Sequence, residues 1–191
     1  MTFRLGFVTG ATPDKWARAW RDRFKEKIEL VPLLQEDQLD ALRSGEVTMA
    51  LVRLPVPTDG LHLIRLYDEV QVAVAGLEHF IAAADDVSLE DLRGEQLVLP
   101  HQSGWTPEAE QLAWPPMSPK DAIETVAAGT GIALVPMSVG RLYQRKDTVQ
   151  RQVTDLEPTT VGLAWLREND DERTQAFVGI TRGRTANSSR G

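Results

Sequence analysis

Thr125-Val126-Ala127-Ala128-Gly129-Thr130-Gly131-Ile132-Ala133-Leu134-Val135-Pro136 sets a helix end, a glycine-bearing turn and an apolar strand in direct succession. Asp121 to Ala128 reads as helix, and Gly129-Thr130-Gly131 stops it. Ile132 to Val135 is short and wholly apolar, as expected of a strand buried on both faces. Pro136 to Tyr143 follows as a short helix. The same order occurs earlier. Glu36 to Arg43 reads as a helix with Leu39 and Leu42 inward, Ser44-Gly45 ends it, and Val47 to Leu54 is a near-continuous apolar run. Ahead of these, Phe3, Leu5 and Phe7 alternate with Arg4, Gly6 and Val8 in strand fashion. Thr12 then suits an N-cap and Pro13 the first helical position. Trp16, Trp20 and Phe24 recur at helical spacing, a stripe expected to pack in the core. Ile28 to Leu34 reads as a further strand. Strand, helix, strand, helix, strand over 54 residues is an α/β arrangement with right-handed crossovers.

Further along, strands are expected at Leu61–Leu66, Val70–Val74, Gln96–Leu99, Val149–Leu156 and Val161–Leu166. Ser88 to Leu92 reads as a capped helical turn, and Asp170 to Ile180 as a final helix. Residues 100–119 hold five prolines and form the longest irregular segment.

Composition narrows the function. With 42% hydrophobic and 26% charged residues over 191 positions, the chain is globular, and one large domain or two small lobes are open to it. There is no cysteine, so thiolate metal sites, redox dithiols and cysteine nucleophiles are excluded. The three histidines, His62, His79 and His101, fall in different expected elements, and no His-x-x-x-His spacing offers a metal site. Ser103 lacks the leading glycine of a nucleophile elbow, and neither glycine-bearing turn has phosphate-loop spacing. No catalytic residue, metal or cofactor is therefore expected. A net charge of −7 opposes a nucleic-acid surface. Arg182, Arg184 and Arg190 form a short basic tail, which leaves the remaining chain at −10. No signal-peptide core or membrane-length apolar run is present, so a cytoplasmic location with no membrane partner is expected.

Four segments together resemble the effector-binding (substrate-binding) domain of LysR-type transcriptional regulators. They are Phe3 to Gly10 leading into a helix, Leu39 to Val52, Val87 to Leu92 before a strand, and Thr125 to Pro136. Thr48 departs from the family's usual Asp after the glycine turn. The resemblance covers nearly the whole chain and implies the type 2 periplasmic-binding-protein fold. In that fold two Rossmann-like α/β lobes are joined by two crossover strands, with a ligand cleft between them. Lobe I would be 1–69 plus 159–191 and lobe II 70–158. No helix-turn-helix lies within the 191 residues, so no direct DNA binding is expected from this chain. An excised domain and a naturally solitary sensor both remain open.

In such a fold, strand ends and helix starts supply the ligand contacts. The residues expected there are Ala11, Thr12, Pro13, Gln35, Asp37, Gln38, Arg53, His101, Gln102, Ser103, Gly129 and Thr130. Arg53 interrupts an apolar run and matches a position where some family members hold an effector. A guanidinium there would hold a carboxylate. Blander roles stand beside these. Thr12 is also a cap, Arg53 also an ion-pair partner, and Gln102 and Ser103 also plain loop residues. Trp105 and Trp114 are expected to pack on lobe II, with aromatic lids as the other option.

The implied function is a non-catalytic sensor of a small anionic metabolite acting in transcription regulation. Its partners would be the effector and a second chain, as a homodimer or a mixed dimer with a full-length regulator. A transporter's solute-binding protein and a carboxylate-processing enzyme using His101 as base are the alternatives on the same scaffold.

Overall fold

The alternating residues at the N-terminus do form the strand that organises the first half of the chain. In the computed structural model, which describes residues 2–183, β1 (Thr2–Val8) lies between β2 (Lys27–Leu33) and β3 (Met49–Arg53), parallel to both. β1 and β2 pair from Thr2↔Lys27 to Val8↔Leu33, and Leu5 pairs with Met49. β9 (Thr159–Leu166) runs antiparallel to β3, and β4 (Leu61–Glu69) closes the sheet in the order β2-β1-β3-β9-β4. Every residue of β3 is buried, because both faces of the sheet are covered.

One face carries α1 (Asp14–Arg23) and α5 (Glu172–Thr181), which lie side by side. Trp20 and Phe177 stack there on Phe3, with ring centroids 4.5 Å and 5.3 Å away. The other face buries Leu42, Val47, Ala50, Val52 and Ala164. Asp171 starts α5 with a capping box, its carboxylate accepting from the Arg173 and Thr174 N–H groups.

The second sheet has the order β6-β8-β5-β7, from β5 (Gln71–Gly76), β6 (Asp86–Val87), β7 (Ala133–Pro136) and β8 (Thr148–Val153). β5 pairs antiparallel with β7 and β8. Its two-residue period divides the core. Val72 and Val74 meet Ile123 and Val126 of α3 (Pro119–Ala127) and Val139 of α4 (Met137–Leu142). Ala73 and Ala75 meet Ile81, Leu92 and Ile132. The chain thus divides into two units, one holding residues up to Tyr67 and from Thr160 onward, the other Asp68–Thr159.

Local expectations were revised at several points. Thr12 caps nothing: Pro13 occupies the N-cap seat, already in the right-handed helical region, and its carbonyl accepts from Trp16 and Ala17. The helix expected over 36–43 is confined to α2 (Asp40–Arg43), and residues 35–39 are turns. Ser88 and Asp91 do form reciprocal hydrogen bonds, yet they stabilise turns rather than an α-helix. The strand expected at Gln96–Leu99 reduces to a bridge from Leu97 to Ile132. Conversely, Phe80–Ala83 forms an unforeseen 3₁₀ turn. Trp105 and Trp114 pack against the two cores of the second unit, as expected of them. Of the basic tail, Arg184 and Arg190 lie outside the described residues.

The glycines of the opening motif do different jobs. Gly129 (φ +86°) turns the chain out of α3 into open space. Gly131 (φ +118°) is pressed against Gln96, whose carbonyl oxygen would stand 2.3 Å from an added Cβ.

Candidate functional site

Three parallel strands that end at the same level bring their following residues together. Thr9 follows β1, Gln35 lies two residues beyond β2, and Arg53 is the last residue of β3. The Arg53 side chain is 1% exposed, so its guanidinium is a charge held out of water. Its Nη1 donates to Gln35 Oε1 at 3.2 Å and its Nη2 to the Thr9 carbonyl at 3.1 Å. Gln38, also buried, treats the Arg53 backbone as a neighbouring strand would. Its Oε1 accepts from Arg53 N at 2.8 Å, and its Nε2 donates to Arg53 O at 3.1 Å. The turns at 35–39 therefore serve the strand end, which explains why a helix does not run through them.

Ala11 and Pro13 are buried, and Thr12 is exposed. Asp37 is exposed, and its backbone closes the turn on Leu34. Asp14 occupies the first turn of α1, where its negative charge already answers the helix dipole.

The second constellation is in the other unit. His101 is buried, with Nε2 3.1 Å from Gln71 Oε1 and Nδ1 2.8 Å from Ser103 Oγ. Ser103 N–H also donates to Nδ1 at 3.2 Å, and Gln71 Nε2 donates to Thr159 Oγ1 and the Glu69 carbonyl. Those fixed donors assign the tautomer. Nδ1 accepts and Nε2–H donates, so the ring is neutral. Burial pushes the His101 pKa below the ordinary histidine value in the same direction.

Gln102 is exposed. Gly129 and Thr130 stand at the exposed end of α3, where the Thr130 hydroxyl closes back on the Thr125 carbonyl. The structure therefore gathers Gln35, Gln38 and Arg53 into one group and His101 with Ser103 into another. Thr9, Gln71 and Thr159 were not anticipated. Gln71 left a signal, as a polar residue at the head of an apolar strand. The Thr9 contribution comes from its backbone carbonyl and leaves none.

Both α/β units set polar side chains at the ends of buried strands, the arrangement of a ligand-binding class of fold. The model of the LysR substrate binding domain matches residues 2–186, and the chain belongs to that family, the effector-binding domain of LysR-type transcriptional regulators. It is 24% identical over 195 residues to the HTH-type transcriptional regulator AlsR of Bacillus subtilis (strain 168), covering 93% of this chain and 64% of AlsR. The chain thus spans just under two thirds of that relative. Among solved structures, a variant of the BenM effector-binding domain matches with TM-score 0.78 at 22% identity, covering 98% of this chain and 95% of that one. The BenM effector-binding domain with its effector benzoate matches with TM-score 0.77 at 20% identity, covering 96% and 94%. The curated relatives are transcription regulators and not enzymes. No helix among the described residues is long and apolar enough to cross a membrane.

Proposed function

We propose that this chain senses a small carboxylate or similar anionic metabolite and passes that occupancy on to transcription. The observation that carries the proposal is the buried Arg53 guanidinium at the ends of three parallel strands. A fixed cation in a low-dielectric setting favours an anion, and its planar donors match a carboxylate. Benzoate as the effector of BenM supports the same ligand class. Effector contact is assigned to Arg53 with Gln35, Gln38 and the Ala11–Pro13 turn, and in the other unit to His101, Gln102 and Ser103. Asp37, Gly129 and Thr130 belong to the same proposal, and their hydrogen bonds are local ones. A ligand alters a regulator only by binding two states with different affinity. The second state is proposed to involve a partner chain, as a homodimer or a mixed dimer with a full-length regulator. A cytoplasmic location belongs to the proposal because its output is transcription.

Thermal unfolding with benzoate and a panel of aliphatic and aromatic carboxylates tests it. A ligand at a hundredfold excess over its Kd raises stability by about 2.7 kcal/mol. Arg53→Met keeps the length and apolar stem, and it should weaken binding at least tenfold while retaining the far-UV spectrum. Absence of any shift across the panel, or unchanged binding by the variant, overturns the assignment.

A further inference from the structure

What residues 101–105 can offer a ligand follows from where their protons go. Gln71 fixes the starting point. The residue is fully buried, and its Nε2 donates to the Glu69 carbonyl at 3.3 Å and to Thr159 Oγ1 at 2.9 Å. That turns Oε1 toward His101 Nε2, 3.1 Å away. An amide oxygen only accepts, so Nε2 carries the ring proton and Nδ1 keeps a lone pair. Ser103 Oγ lies 2.8 Å from Nδ1 and points its O–H at that lone pair. The hydroxyl proton is thereby committed inside the protein. Of the two lone pairs on the serine oxygen, one accepts from Trp105 N–H at 3.3 Å. The second remains to accept from outside, and Ser103 is exposed.

The backbone repeats the pattern. Ser103 N–H donates to His101 Nδ1, Gly104 N–H to the His101 carbonyl and Trp105 N–H to Ser103 Oγ. Three successive amide protons are thus used within the loop itself. Both nitrogens of the His101 ring are engaged as well, so the ring acts on a ligand only through Ser103. At Ser103 the loop presents an acceptor, and a carboxylate oxygen placed there would set lone pair against lone pair. We propose that the effector is a carboxylate that also carries a hydrogen-bond donor, a hydroxyl or an amine, and that Ser103 Oγ accepts from this donor. The inference rests on the effector contact assigned to Ser103 above and names the ligand class for it. Gln71 is the positioning residue, because it sets the tautomer that commits the serine proton. An acid without the donor leaves the serine lone pair unmet once water is displaced, and that is the source of discrimination.

Calorimetric titration of the full chain with the three hydroxybenzoate isomers, each beside its methyl ether and beside benzoate, provides the test. Lactate beside propionate extends it to aliphatic acids. A hydroxy acid should bind about tenfold more tightly than both its ether and the unsubstituted acid. Ser103→Ala should bring that ratio close to one, a change that a general loss of structure does not produce. Independently of any ligand, long-range ¹H–¹⁵N correlation spectra at neutral pH should show the His101 ring protonated at Nε2 alone, its signals identified by their loss in His101→Gln. A ring protonated at Nδ1, or hydroxy acids that bind no better than their donor-free partners, overturns this inference and leaves the carboxylate reading standing. A preference that persists in the Ser103→Ala variant overturns it too. No binding by any acid of the panel overturns the carboxylate reading and this inference with it.

Discussion

Replacing Gly131 by alanine should be among the costliest single-methyl additions in this protein, and the neighbouring Gly129→Ala is its internal control. Both residues have positive φ, +118° and +86°, so both substitutions force an L side chain into a disfavoured conformation. That strain costs about 1–3 kcal/mol. At Gly129 it is the whole effect, because an added Cβ meets nothing within 4 Å. At Gly131 the methyl would lie 2.3 Å from the Gln96 carbonyl oxygen and 2.7 Å from Gln96 Cβ. Relief requires moving backbone, and that carbonyl accepts from Ile132 N at 2.8 Å while Ile132 O accepts from Val98 N at 3.0 Å. Overpacking adds about 1–3 kcal/mol, and each lost hydrogen bond about 1 kcal/mol. Gly131→Ala should therefore destabilise by about 4 kcal/mol and exceed Gly129→Ala by about 2 kcal/mol or more. For a chain of this size the larger loss lowers Tm by roughly 8–16 °C. Urea unfolding followed by circular dichroism, with Tm measured beside it, reads the difference. Equal or reversed effects of the two substitutions would refute the claim that close backbone approach, rather than φ alone, demands Gly131.

Two further outcomes follow from the same structure. The unfolded chain takes up a proton near pH 6.5 that buried His101 refuses, so this group's contribution is complete above pH 6.5 and declines as pH falls toward the depressed folded value. Urea midpoints from pH 7.5 to 5 should narrow the gap between wild type and His101→Gln by at most about 1.4 kcal/mol per pH unit, and a gap independent of pH would contradict the neutral ring. Phe177→Ala removes a fully buried ring stacked on Phe3 and facing Trp20, and it should cost about 3–5 kcal/mol in calorimetry; a loss under about 1 kcal/mol would mean the three-ring cluster is not a packed core.

What the residues disclosed in advance follows a physical division. Strands that are buried on both faces announce themselves by apolar runs, so β3 and β7 were legible within two residues, and the Trp16–Trp20 stripe located the inward face of α1. Cap signals were less dependable. Thr12 has the right side chain, but Pro13 adopted helical geometry itself and displaced it by one position. Ser88 and Asp91 form their box without a helix beyond it, because local hydrogen bonds fix a turn and apolar packing decides whether the turn continues. Arg53 stood out as a charge in an apolar run, and Gln38 is buried against it although its own segment read as an ordinary helix. The Gln71–His101 contact joins residues 30 positions apart, and only the tertiary fold could make it visible.

The first sheet has a consequence for how the protein is made. Its fourth strand in spatial order, β9, separates β3 from β4, yet among the described residues β9 is the last strand to be synthesised. Everything from Asp68 to Thr159 leaves the ribosome first, so the second unit has all of its strands while the first still has a gap in the middle of its sheet. Domains generally fold as units during synthesis. Birth order and sequence order are thus reversed for the two units: the one whose translation begins first is completed last. Until residues 160–166 arrive, β3 presents its Ala50–Arg53 edge unpaired, and that nascent edge is open to premature strand pairing.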